Sequence, residues 1–185
     1  RSSAASDVYK RQAPVQLEKA IQYANSSILS KTLIDPSLKG MGTTVSLVTL
    51  ARHMAFWGHV GDSRIYLYRD GEFTQISADH TIVQVLLDKG KITEEEAIDH
   101  PQRHVLTRAV GVDENLVVDS GAFEVQPKDR ILICSDGLTS FIRKQELRDA
   151  IGDYRRTERE IINDLFARVY ENGANDNVTA ILTTI

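Results

Sequence analysis

The most informative stretch of this chain is residues 131–138, ILICSDGL, where an apolar run ends in a single carboxylate. Residues 131–134 are typical of a buried strand, and Asp136 follows at its edge. A carboxylate in that position is costly unless its charge is compensated. No lysine or arginine is adjacent to it in the sequence, so a bound divalent cation is the natural compensation.

A second acidic turn, NDN at residues 175–177, stands directly before the apolar run of residues 178–182. Its carboxylate, Asp176, also has no adjacent basic residue. Oxygen ligands favour magnesium or manganese over zinc. Two simpler interpretations stay open: Asp136 could cap a helix that begins at Leu138, and Asp176 could be an ordinary turn residue.

The composition indicates one globular domain of ordinary type. The chain has 185 residues, of which 42% are hydrophobic and 26% charged, and its net charge of -4 argues against nucleic acid as the main partner. No apolar run approaches the roughly 18 residues of a membrane span. Its single cysteine, Cys134, lies in an apolar run and is interpreted as a buried thiol. We therefore expect a cytoplasmic protein that binds neither membrane nor nucleic acid.

The pattern of apolar residues predicts an α+β fold. A helix from residue 15 should end before Pro36, and four strands should then form an antiparallel meander, with a hairpin turn at Asp70-Gly71. Capping residues predict a short helix after Thr93. The further predicted helices cover residues 82–87, 141–151 and 158–170, and the further strands cover residues 117–123, 130–134 and 178–185. An antiparallel sheet with segregated helices gives this fold class.

Five motifs occur in a fixed order along the chain. They are GMGTT at 40–44, GHVGDSR at 58–64, LTRAVG at 106–111, SDGL at 135–138 and NDNVT at 175–179. This series resembles the metal-dependent protein phosphatases of type 2C (the PPM family), in their bacterial form, over residues 15–185. The resemblance implies a four-layer α-β-β-α sandwich with antiparallel sheets. It also implies a flap-like insert at about residues 79–111.

The resemblance further implies a metal-dependent reaction. Asp136 and Asp176 look like ligands of a dinuclear centre that holds Mn2+ or Mg2+, and Asp62 resembles the carboxylate that serves a third ion. Asp62 could instead pair with Arg64 or shape its turn. A metal-activated water would hydrolyse phosphoserine or phosphothreonine. The implied partners are phosphorylated proteins and a cognate serine/threonine kinase.

Three residues near the insert have structural interpretations. His59 lies in an apolar strand and is expected to be a core histidine with its hydrogen bonds satisfied. His80 stands at the mouth of the insert and is expected to anchor it. Arg108 is expected to tie the insert to the sheet through a salt bridge.

Residues 2–12 match the translation of a transposase adapter used in sequencing, and a real N-terminal tail is the alternative. We expect the natural protein to continue upstream of Ala13. Two family motifs, a phosphate-binding arginine and an Asp-Gly-Met-Gly-Gly run, are expected there, so no catalytic residue is identified and Arg1, Asp7 and Arg11 receive no family role. We expect a marginally stable fragment, with N-terminal strands missing, that has little activity. Two alternatives are a degenerate regulatory or binding module and a phosphatase dedicated to one regulatory partner.

Overall fold

A computed structural model describes residues 2–174 and 176–185, with side chains from Gln12 onward. Arg1 and Asn175, both named above, lie outside the described residues, as do the side chains of Asp7 and Arg11. The chain divides into two compact units. Unit 1 holds the residues up to 62 together with residues 79–124, and unit 2 holds residues 63–78 and 125–185.

Unit 1 is a three-stranded antiparallel sheet with a long helix packed against it. Its strand order is β1-β2-β5. The helix α1 contacts β2 and β5, and Ile21 on α1 is buried in the core of the unit. The elements are α1 (Ser2–Ile34), a 3-10 helix (Pro36–Leu38), β1 (Val45–Ala51), β2 (Met54–Val60), α2 (Ile82–Asp88), α3 (Glu94–Ile98) and β5 (Asp119–Glu124).

Unit 2 is a four-stranded antiparallel sheet with three helices. Its strand order is β4-β3-β6-β7. The buried side chains of Leu132, Leu138, Leu147 and Leu165 belong to one apolar cluster that joins the sheet to the helices. The elements are β3 (Arg64–Arg69), β4 (Glu72–Gln75), β6 (Arg130–Cys134), α4 (Asp136–Thr139), α5 (Lys144–Ile151), α6 (Glu158–Glu171) and β7 (Ala180–Thr184).

Local sequence signals account for several boundaries. The helix α1 ends at Ile34, before Pro36, as predicted. Thr93 and Glu96 form the predicted capping box of α3, in which the Thr93 hydroxyl accepts from the Glu96 N–H and the Glu96 carboxylate accepts from the Thr93 N–H. Asp70 adopts a positive φ of 50° in the hairpin turn between β3 and β4.

The predicted meander of four consecutive strands is wrong. β1 and β2 belong to the sheet of unit 1, whereas β3 and β4 belong to the sheet of unit 2. The free edge of β2 pairs with β5, with Phe56 opposite Ala122, and β3 pairs with β6. The chain leaves β2 through Gly61, whose φ of +117° turns it out of the sheet.

In the part of the chain that the structure describes, we find no helix with the length and apolar character that crossing a membrane requires.

Candidate metal centre

The two acidic turns predicted from the sequence meet in unit 2. β6 and β7 pair in antiparallel register up to Cys134 and Ala180, and Ser135 and Thr179 continue this pairing. The Ser135 N–H donates to the Thr179 carbonyl at 3.0 Å, and the Thr179 N–H donates to the Ser135 hydroxyl at 3.1 Å. Both turns therefore leave the sheet at the same end.

Gly137 allows the two turns to approach closely. A Cβ atom built on Gly137 would lie 2.4 Å from the carbonyl oxygen of Asn177, which is less than any real contact of that kind. Asp136 precedes Gly137, and Asp176 precedes Asn177, so each carboxylate is one residue from this contact. The absence of a side chain at Gly137 thus permits the arrangement of both acidic residues.

The structure also answers the simpler interpretations. Ser135 is the N-cap of α4 and Asp136 is its first residue, so the interpretation of Asp136 as an N-cap is wrong. Asp176 does serve its turn, because its Oδ1 accepts from the Asn177 N–H at 2.7 Å. Asp136 is half-buried and Asp176 is exposed. An exposed turn carboxylate keeps a second oxygen available to a cation.

The donor atoms suit magnesium or manganese, since both cations prefer carboxylate oxygens. Among residues 2–174 and 176–185 no group of three or more histidine, cysteine, aspartate or glutamate side chains is arranged to hold a metal. Asp136 and Asp176 therefore fit part of a coordination sphere, with the remaining ligands to be supplied by water or other groups.

The third predicted ligand, Asp62, belongs to unit 1. Asp62 is half-buried and follows Gly61, whose φ is +117°, after the end of β2. Two histidines bind Gly61 from either side. The His59 ring donates through Nε2 to the Gly61 carbonyl at 3.0 Å, and the Gly61 N–H donates to His80 Nδ1 at 3.1 Å.

His80 is part of a charged network with Asp119 and Arg108. Its Nε2 donates to Asp119 Oδ2 at 3.1 Å, and Arg108 donates to Asp119 Oδ1 at 2.6 Å. Burial lowers the pKa of His80 by more than its hydrogen bond to Asp119 raises it. Burial alone would raise the pKa of Asp119, but the hydrogen bonds from His80 and Arg108 outweigh it and lower that pKa. Neutral His80 and charged Asp119 are thus the favoured forms.

This network confirms the predicted salt bridge of Arg108 and the predicted anchoring role of His80. His59 is the expected core histidine: it is fully buried, and its Nδ1 lies 2.9 Å from the Ser46 hydroxyl. Asp119 was missed by the sequence analysis. Asp119 lies inside the strand predicted at residues 117–123, whereas in the structure it is the first residue of β5, a carboxylate at a strand end with charged partners.

Comparisons with known proteins place this chain and its fold in one family. The family model for protein phosphatase 2C matches residues 2–183. A serine/threonine phosphatase (stp) of Listeria monocytogenes is 34% identical over 166 residues, which are 90% of this chain and 66% of that protein. The crystal structure of the Mycobacterium tuberculosis serine/threonine phosphatase PstP/Ppp matches with a TM-score of 0.87 and 36% identity, covering 93% of this chain and 72% of that one.

A second solved structure is the catalytic domain of the phosphatase PstP in complex with two manganese ions. It matches with a TM-score of 0.80 and 35% identity, covering 91% of this chain and 70% of that chain. These relatives and solved structures are serine/threonine phosphatases, and this chain shares their α+β fold with antiparallel sheets. The chain belongs to the protein phosphatase 2C family, and it spans just under two thirds of the Listeria relative.

Proposed function

We propose that this protein is a metal-dependent phosphoprotein phosphatase that hydrolyses phosphoserine and phosphothreonine. The observation that carries the proposal is that the two turns holding Asp136 and Asp176 approach each other at one end of the unit 2 sheet, through the Ser135–Thr179 pairing and the close approach at Gly137. The names of the relatives, serine/threonine phosphatases, support the substrate class.

In this proposal Asp136 and Asp176 bind the two ions of a dinuclear Mn2+ or Mg2+ centre, and Asp62 serves a third ion. The PstP domain in complex with two manganese ions supports the choice of metal. When bound, such ions activate a water for in-line attack on phosphorus and neutralise charge on the phosphoryl oxygens. The role of the chain is to present carboxylate oxygens in a fixed arrangement, which the continued pairing of β6 and β7 achieves.

The proposal also covers the insert, the N-terminal residues, the partners and the cellular location. Residues 79–111 form the flap-like insert. The sequence of residues 2–12 matches a translated adapter, which supports a non-native tail, although α1 and the family match both extend from residue 2. The partners are phosphorylated proteins and a cognate serine/threonine kinase. A cytoplasmic location is supported by the cysteine usage, because Cys134 is buried and is the single cysteine of the sequence, so the chain forms no internal disulfide.

The test is a Mn2+ titration of the 185-residue chain followed by electron paramagnetic resonance, with p-nitrophenyl phosphate hydrolysis as a second readout. Asp136→Asn and Asp176→Asn should each weaken Mn2+ binding by about tenfold or more, because each removes an anionic ligand. Asp149→Asn is the matched control, since Asp149 is an exposed aspartate on α5 of the same unit. Unchanged Mn2+ binding in both site variants would contradict the proposed centre.

A second candidate, a non-catalytic binding module, is favoured by one observation: the described residues hold no cluster of three metal ligands. The two candidates differ in turnover. A chain that binds Mn2+ through Asp136 and Asp176 but hydrolyses nothing is the module, whereas metal-dependent hydrolysis that Asp136→Asn abolishes identifies the enzyme.

A further inference from the structure

We propose that His59 and His80 are positioning residues that lock the conformation of Gly61 and thereby set the direction of the Asp62 carboxylate. The inference rests on the proposed role of Asp62 as a metal ligand. It deepens that role, because it assigns the geometry of the ligand to two buried side chains whose rings are hydrogen-bonded to Gly61.

Gly61 needs contacts that fix its backbone conformation. Its φ of +117° belongs to a region that residues with a side chain rarely adopt, and a Cβ atom there would lie 2.3 Å from Thr44 Cγ2. Glycine is therefore required at this position. Glycine is also the residue with the greatest backbone freedom, so its own preference does not fix the turn, and contacts made by Gly61 are needed to fix the backbone that leads into Asp62.

Those contacts hold both polar groups of Gly61. Its carbonyl accepts from His59 Nε2 at 3.0 Å and from the backbone N–H of His80 at 2.7 Å. Its N–H donates to His80 Nδ1 at 3.1 Å. His80 thus binds the same residue through its ring and through its backbone, and the peptide groups on both sides of the Gly61 Cα atom are fixed.

The hydrogen bonds also determine the tautomer of each ring. A carbonyl oxygen only accepts, so His59 carries its proton on Nε2 and its Nδ1 accepts from the Ser46 hydroxyl at 2.9 Å. A backbone N–H only donates, so His80 Nδ1 is unprotonated and its Nε2 donates to Asp119. His59 is fully buried and His80 is 3% exposed, so water does not compete for these bonds.

The lock links the insert to Asp62. His80 stands at the first residues of the insert, and its carbonyl accepts from the N–H of Thr107, near the end of the insert, at 2.8 Å. Arg108 holds the far side of Asp119. His80, at the first end of the insert, is therefore hydrogen-bonded both to Thr107 at the other end and to Gly61. All of these residues belong to unit 1. A conformational change where the insert begins would therefore alter the orientation of Asp62 through His80.

The experiment compares two variants of His80 in the 185-residue chain. The Asn side chain places an oxygen near the Nδ1 position, so His80→Asn keeps an acceptor for the Gly61 N–H. The Gln side chain places an NH2 group near the Nε2 position, so His80→Gln keeps the donor to Asp119 and loses that acceptor. His59→Gln and His59→Asn give the corresponding pair at Gly61's carbonyl, with Gln as the conservative change.

The first readout needs no metal. Residual dipolar couplings of the Gly61 and Asp62 amides, measured by 1H–15N NMR, report the orientation of the turn. They should change in His80→Gln and His59→Asn and stay close to the parent values in His80→Asn and His59→Gln. Parent-like couplings in both His80→Gln and His59→Asn would overturn the proposal, and either pair alone decides if a variant of the other pair does not fold.

The second readout is the broadening of amide signals by added Mn2+. In His80→Gln the Mn2+ concentration that broadens residues 61–63 should rise by about tenfold or more, as expected for loss of a group that orients a ligand, while the broadening of residues 135–137 stays unchanged. An unshifted concentration overturns the proposal. Failure of the proposed function gives a different result. In that case Mn2+ does not broaden residues 61–63 of the parent chain, or Asp62→Asn leaves the broadening unchanged. The dipolar couplings, which need no metal, still decide the positioning role.

Discussion

Replacing Gly137 with alanine should separate the two acidic turns of unit 2 and destabilise that unit. The new Cβ would have 2.4 Å to the Asn177 carbonyl oxygen where real contacts need at least 3.0 Å, so the turns must open by at least about 0.6 Å. The obstacle is backbone, which cannot rotate away. Overpacking of this kind costs roughly 1–3 kcal/mol, whereas the helix propensity of alanine over glycine returns at most about 1 kcal/mol. If the full propensity gain is realised, the net loss should be up to about 2 kcal/mol.

Urea denaturation followed by circular dichroism measures this loss. With an m-value of about 2 kcal/mol/M, the urea midpoint should fall by up to about 1 M. Mn2+ affinity should fall as well, because the spacing of Asp136 and Asp176 changes. Gly58→Ala is the control: its Cβ would meet the Ile21 Cδ1 atom at 3.1 Å, a side-chain end that can move, so its effect should be smaller. A Gly137→Ala chain with the parent's midpoint and the parent's Mn2+ affinity would refute the reasoning.

The remaining predictions concern unit 2. Burial alone would raise the pKa of Asp129, but hydrogen bonds from Arg69 and the Gln126 N–H outweigh it and lower that pKa. The ion pair therefore stabilises the fold above the unfolded pKa of about 3.9 and is lost as pH falls through the lower folded value. The free energy of unfolding should drop more steeply below about pH 4 in the parent than in Arg69→Gln, and equal slopes in acid denaturation would exclude this cause. Thr157 caps α6 in a box with Glu160; Thr157→Ala should cost about 1 kcal/mol in a thermal melt and Thr157→Ser much less, and equal losses would show that the hydroxyl does not matter.

The sequence predicted best what local chemistry determines. The end of α1 before Pro36 and the start of α3 at Thr93 follow from residues a few positions apart, and both were predicted. The partner of β2 was not predicted, because β5 lies about sixty residues further along the chain and no local pattern reports which strand will occupy a free edge. That long-range pairing is what divided the expected meander between two sheets.

In the candidate site, too, local chemistry was predicted and long-range contacts were not. Charge alone marked Asp136 and Asp176 as residues in need of a cation, but their proximity depends on the register of β6 and β7 and on the missing side chain of Gly137. Asp119 escaped notice because its partners, His80 and Arg108, come from two different parts of the insert. Hydrogen-bond partners supplied by distant loops are not visible in the pattern of a single strand.

The interleaving of the two units along the chain has a consequence for synthesis. The three described strands of unit 1 have all been made once residue 124 is added, whereas the β3–β4 hairpin, already present at residues 63–78, must wait for β6 and β7. Since domains generally fold as units during synthesis, this hairpin emerges from the ribosome early and stays without its sheet until β7, Ala180–Thr184, has been translated. A pause in translation between residues 124 and 185 would lengthen that exposure, and it is the part of the message where codon choice should matter most for yield of folded protein.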